Sequence, residues 1–116
     1  MTLNLTSLEK KAVAKVLLDI VNVDNRVTVG ESRYFQQLQD VLGISDLEIE
    51  EAKYMSAIGS LSILRQMNNI EKTALALMMF EMMKADGHID DDEMKIFIVV
   101  CAGADIPMPE SKAVNY

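Results

Sequence analysis

Cysteine occurs once in the 116 residues, at Cys101, so no internal disulfide can form and the chain suits a reducing cytoplasm. Proline occurs twice, at Pro107 and Pro109, both beyond the last strongly helical segment. No strand-like alternation of apolar and polar residues lasts more than a few positions. No apolar run approaches the roughly 20 residues that span a bilayer. The longest, Ala74 to Met83, is broken by Glu81. The start, MTLNLTSLEKK, lacks a basic stretch followed by an apolar one and does not read as a signal peptide. Basic residues are few, 11 against 18 acidic ones, for a net charge of −7. That balance argues against nucleic acid and against unaided binding to an anionic membrane surface. A basic protein partner, a cation or simple solubility remain open.

Chemistry-bearing residues are equally sparse. His88 is the only histidine, and no Ser or Cys near it makes a nucleophile–base pair. There is no Gly-rich phosphate loop. Cys101 sits in the apolar run IFIVVCAG, without the electropositive setting of a reactive thiol. The expectation is therefore a protein that is not an enzyme. An enzyme acting on a small molecule is the remote alternative, and a pocket of convergent polar residues would be its mark.

What is present is helical periodicity. Val13, Val16, Leu17 and Ile20 share a face, as do Leu75, Met78, Met79 and Met82. These sets lie 62 residues apart, and aligning 9–45 with 71–107 needs no gap over 37 positions. Eight positions are identical: Glu9/Glu71, Lys10/Lys72, Ala12/Ala74, Ala14/Ala76, Asp24/Asp86, Glu31/Glu93, Phe35/Phe97 and Ile44/Ile106. Composition alone would give about two or three. An internal duplication accounts for this, since both copies keep one buried pattern.

Capping boxes mark the helix starts: Thr6–Glu9, Thr28–Glu31, Ser45–Glu48, Asn68–Glu71 and Asp90–Glu93. Hydrophobic staples, Ile44 with Ile49 and Ile89 with Met94, accompany two of them. The pattern predicts helices near 7–23, 29–42, 46–56, 60–66, 69–85 and 91–103, with Gly59 separating the third from the fourth. The fold class expected is all-α, a compact bundle of six to seven short helices, with 7–23 and 69–85 central about a pseudo-twofold axis. Residues 1–107 form the domain, and 108–116 a tail that frays or adds a short turn. The run MMFEMM fills the core, with Met79 or Met83 also reaching the edge of a groove for partner helices. The stretch DLEIEE at 46–51 reads as the solvated first turn of a capped helix.

The repeated corner reads DNRVTVGE at 24–31 and DGHIDDDE at 86–93. Asp86, Gly87, Ile89 and Glu93 match the end of an EF-hand loop, but its first two ligand slots fall on Met82 and Lys84. In the first copy they fall on Ile20 and Asn22, so a standard EF-hand is excluded. Helix capping explains the corner with less. Gly87 or Asn25 ends one helix in the left-handed conformation, and Ile89 or Val27 plugs the core. Asp90 or Thr28 then caps the next helix, and Glu93 or Glu31 closes the box. Beside this stands a metal reading. Asp86, Asp90, Asp91, Asp92 and Glu93 cluster with His88, and Asp24 and Glu31 join them if the two corners meet. Such carboxylates would hold a divalent metal ion as the one candidate cofactor, with His88 admitting a softer one.

The pattern ADGHIDDDEMKIF, preceded by ALALMMFEMMK and echoed by VDNRVTVGE, resembles the TerB-like family over roughly residues 8–107. That family includes the tellurite-resistance TerB proteins and the N-terminal domain of DjlA-type co-chaperones. The resemblance implies a non-enzymatic all-helical domain, tied to metal-ion or oxyanion stress, with a protein partner in a membrane-associated assembly. It maps suspected metal-binding acids onto Asp24, Glu31, Asp86 and Glu93. The first copy departs from the acidic pattern at Arg26, Thr28 and Val29. No J-domain accompanies the motif, so the co-chaperone role is not implied.

Overall fold

A computed structural model of the chain describes residues 4–23, 28–85 and 89–108. Among these residues are six helices and no strand: α1 (Ser7–Asn22), α2 (Val29–Leu42), α3 (Asp46–Ala52), α4 (Ala57–Arg65), α5 (Asn69–Met83) and α6 (Asp91–Ala104). The all-α bundle expected from periodicity is the fold observed. None of the described helices is long and apolar enough to cross a membrane.

The starts follow from side-chain chemistry. Thr6, Thr28, Ser45 and Asn68 each accept the N–H of the Glu three residues on, and that Glu accepts the cap residue's N–H in return. Asp90 caps α6 by accepting from both Asp92 and Glu93. The sixth start was not foreseen. Ser56 caps α4 by accepting the N–H of Gly59, so Gly59 lies in the first turn of a helix that begins at Ala57. Correspondingly α3 ends at Ala52 instead of running to 56. The expected fourth helix at 60–66 is corrected to Ala57–Arg65.

Packing centres on α1, which touches each of the other five helices, most extensively α4 and α3. α5 packs on α2, α6 and α1. The expected central pair thus gives way to one central helix, because α3 and α4 cover the side of α1 that α5 does not. Ala12, Ala14, Leu17 and Ile20 are fully buried there. From α5, Met79, Met82 and Met83 are also fully buried. Neither Met79 nor Met83 reaches a groove edge, so that expectation fails: flexible thioethers fill the space between α5 and its neighbours. Phe80 and Phe97 pack with ring centroids 6.1 Å apart, joining α5 to α6.

Positions 62 apart behave alike. Gly43 and Asp105 both take left-handed backbone conformations after α2 and α6, with φ of 69° and 56°. The next N–H then reaches back five residues, Ile44 to Gln39 at 3.0 Å and Ile106 to Cys101 at 2.8 Å. Ile44 and Ile106 are each 5% exposed, Glu31 and Glu93 2% and 3%. Neither α2 nor α6 has a basic residue in its last turn. Lysines from the preceding long helices approach those negative poles instead. Lys72 Nζ lies 4.0 Å from Asp105, and Lys10 Nζ 3.7 Å from where a Cβ on Gly43 would stand.

Candidate functional site

The acidic corners are the residues that sequence singles out, and capping explains most of the described part. In the first corner, the Thr28 N–H donates to Glu31 Oε1 at 3.2 Å, and the Glu31 N–H donates to Thr28 Oγ1 at 3.0 Å. Glu31 is buried. Its negative charge faces the positive end of α2, which offsets part of the cost of taking a carboxylate out of water. In the second corner, Asp90 Oδ1 accepts the Asp92 N–H at 2.8 Å and the Glu93 N–H at 3.4 Å. Glu93 is buried, while Asp91 and Asp92 are exposed. Asp92 lies 3.9 Å from Lys95, one turn along the helix. Ile89 is half-buried against the core, as a plug between helices should be.

Asp24, Asp86 and His88, together with Asn25, Val27 and Gly87, lie outside the described residues. Among the described residues, no three His, Cys, Asp or Glu side chains converge closely enough to hold a metal ion. Carboxylate oxygens are the donors a hard cation takes. Of those described, however, Glu31 Oε1 and Asp90 Oδ1 already accept backbone N–H groups. Asp91 and Asp92 remain the acids at this corner with exposed side chains.

The other titratable groups fit a structural role. Burial pushes the Cys101 thiol up to about 11, which leaves it protonated and unreactive at neutral pH. Burial, and then the nearby Glu81 carboxylate, raise the Tyr34 phenol above its ordinary value. Glu48 is held below the usual carboxylate range, first by the Ser45 backbone N–H and then by the Ser7 hydroxyl. Every buried side-chain nitrogen or oxygen among the described residues has a hydrogen-bond partner, so no orphaned group points into a cleft.

Composition and periodicity did not mark the exposed apolar residues of the connecting segment. Leu47, Tyr54 and Ile58 are 66%, 87% and 82% exposed. They lie between the two aligned stretches, 9–45 and 71–107. Leu47 sits in the acidic first turn of α3, and Ile58 sits one residue into α4. The alternation of Leu47 with acids was the only signal, and it equally fits an ordinary capped turn.

No protein-family model matches the chain, and no curated protein matches it. Its fold does match a solved structure, that of a protein of unknown function, PG1108, from Porphyromonas gingivalis W83. The TM-score is 0.80 at 22% identity, covering 99% of this chain and 95% of that one. At that identity the likeness shows a shared fold over nearly the whole length of both chains, and the fold alone.

Proposed function

We propose that this chain is a non-enzymatic, TerB-like interaction module of the cytoplasm. It would serve a response to metal or oxyanion stress such as tellurite, within a protein assembly at a membrane. The observation that carries the reading is exposed apolar surface in the segment that joins the two aligned stretches. Leu47, Tyr54 and Ile58 are exposed there, and Tyr54 and Ile58 are more exposed than any other large apolar residue among those described. Exposed large apolar side chains are what protein contacts use. The family resemblance supplies the stress context. The net charge of −7 favours a basic partner surface.

The test is affinity capture with and without tellurite, using the wild type beside a Tyr54→Ser, Ile58→Asp double variant. The expected result is a partner enriched under stress by the wild type and lost by the variant, at unchanged melting temperature. Recovery of nothing above a bait-free control under either condition would end this reading.

Divalent-cation binding at 86–93 is the second reading, favoured by the exposure of Asp91 and Asp92 beside the α6 start. Calorimetric titration with calcium, zinc and manganese tests it. Heat that disappears in Asp86→Ala supports a site, and no heat from any of the three sinks it. Asp90→Ala is the poorer variant, because it also removes the cap of α6.

A further inference from the structure

Away from the acidic corners, α1, α4 and α6 enclose a groove of about 340 Å³. That volume falls within the range of small-molecule sites, roughly 300–1,000 Å³. Its position follows from a close contact. A Cβ on Gly103 would stand 2.8 Å from Leu61 Cδ1, so the bare glycine lets α4 come down on α6 at Leu61. Beside that contact the groove is walled by Val16, Leu61, Ile96 and Val99, all aliphatic.

Among the described residues, one ionisable side chain lines this groove, and it is the carboxylate Asp19. Asn22, one turn further along α1, lines the same end. Here α1 terminates, with no basic residue in its last turn to offset the negative pole of its carbonyls. The Asn22 amide donates to the Leu18 carbonyl at 2.9 Å, satisfying one of them. Lys15 engages Asp19 Oδ1 at 3.1 Å. A carboxylate offers about four acceptor sites, so Asp19 can hold a second donor while keeping Lys15. The groove thus joins an apolar floor to the Asp19–Lys15 ion pair at the carbonyl pole of α1. Lys53, which lines the adjoining cleft with Asp19 and Asn22, is held by Glu50 at 2.8 Å.

We propose that this groove is a binding site for a small amphiphilic cation, an aliphatic or aromatic body carrying one ammonium or guanidinium group. The apolar body lies against Leu61, Ile96 and Val99, and the cationic head meets Asp19 at the end of α1. A neutral ligand of the same shape gains the apolar contacts only. An anionic one meets Asp19 and the helix pole with the wrong sign.

A matched series isolates the charge: n-octylammonium, 1-octanol and octanoate, each below its aggregation threshold, titrated into the full chain. Binding is read from methyl chemical shifts. Octylammonium should saturate one site, shifting the methyls of Leu61, Ile96 and Val99, and bind about tenfold more tightly than octanol, as one charge-assisted contact gives. Octanoate should bind more weakly than octanol. Asp19→Asn should bring octylammonium down to the alcohol's affinity. Val99→Lys, at a position 58% exposed, should abolish octylammonium binding while the melting temperature holds. Affinities within twofold across the three ligands, shifts scattered away from the groove, or an Asp19→Asn variant that keeps the tenfold preference would each overturn the proposal.

Discussion

Asp105 holds a left-handed backbone at φ 56°, without the glycine that Gly43 supplies at the matching place, where φ is 69°. An L side chain in this region costs about 1–2 kcal/mol, least for Asp and Asn, whose short polar side chains bond locally. The two sites therefore predict opposite outcomes. Gly43→Ala meets no crowding, its nearest neighbour being Lys10 Nζ at 3.7 Å, so only backbone strain is added. It should destabilise the protein by about 1–2 kcal/mol. Asp105→Gly releases strain and gives up only a 4.0 Å approach to Lys72 by a carboxylate that is 77% exposed. The contact is long, but Lys72 is itself only 7% exposed, so the partner it loses offsets part of the released strain, and this variant should be more stable by less than about 1 kcal/mol. Urea unfolding of both variants checks the signs. Sequence alone could not find this site. Gly43 advertises a left-handed cap, whereas an aspartate after CAGA reads as an ordinary surface acid. Gly87 and Asn25, which the pattern did nominate, lie outside the described residues.

At the scale of the helix, most starts were legible because a cap is a local hydrogen bond to a residue two or three positions on, reciprocated by a Glu at Thr6, Thr28, Ser45 and Asn68. α2 begins and ends at the residues that the pattern predicts, and the other long helices agree within one or two positions. The failure at 53–59 has the same cause. Ser56 is a cap whose partner three residues on is Gly59, with no carboxylate to complete the box, so the glycine was taken for a break. The Ser45–Glu48 box separates the two halves of such a device experimentally. Ser45→Ala removes a hydroxyl acceptor and should cost about 1 kcal/mol at any pH. Glu48 behaves differently, since its folded pKa lies below the unfolded value. Its contribution is present above the unfolded carboxylate pKa, about 4.3, and is lost as pH falls through the lower folded value. The melting-temperature advantage of wild type over Glu48→Gln, seen at pH 7, should close as the solution is acidified below about pH 4. An advantage that persists at fully acidic pH would show that the side chain acts through packing, not through charge.

Across the whole molecule, the buried pattern shared by the aligned stretches explains why so little of the candidate site was legible while so much of the fold was. A buried pattern has a period and leaves its trace in sequence: Leu17 and Met79, Ile20 and Met82, and Val21 and Met83 are buried at matching places. Exposed apolar residues have no such period, and Leu47, Tyr54 and Ile58 stand outside the aligned stretches. The aligned halves are nonetheless loaded unequally, because α1 meets five helices and α5 three. This asymmetry can be measured at Leu17 and Met79, both 0% exposed and 62 positions apart. Exchanging them, Leu17→Met with Met79→Leu, conserves core volume and should cost less than about 1.5 kcal/mol. Truncation should reveal the difference that exchange conceals. Buried Leu or Met to Ala costs about 2–5 kcal/mol, depending on how far the surroundings collapse into the space. Leu17→Ala opens its cavity where α1 is held from all sides by helices that cannot all shift together, so its cost should lie near the upper end. Met79→Ala leaves a cavity among flexible methionines, Met82 and Met83 beside it, which can reorient to fill it. Its cost should lie near the lower end. Against a total stability of about 5–15 kcal/mol for a domain of this kind, the first variant approaches global unfolding and the second remains folded. Denaturant midpoints for the two alanine variants decide it. Equal losses would mean that the two halves carry the fold in equal measure, with no privileged central helix.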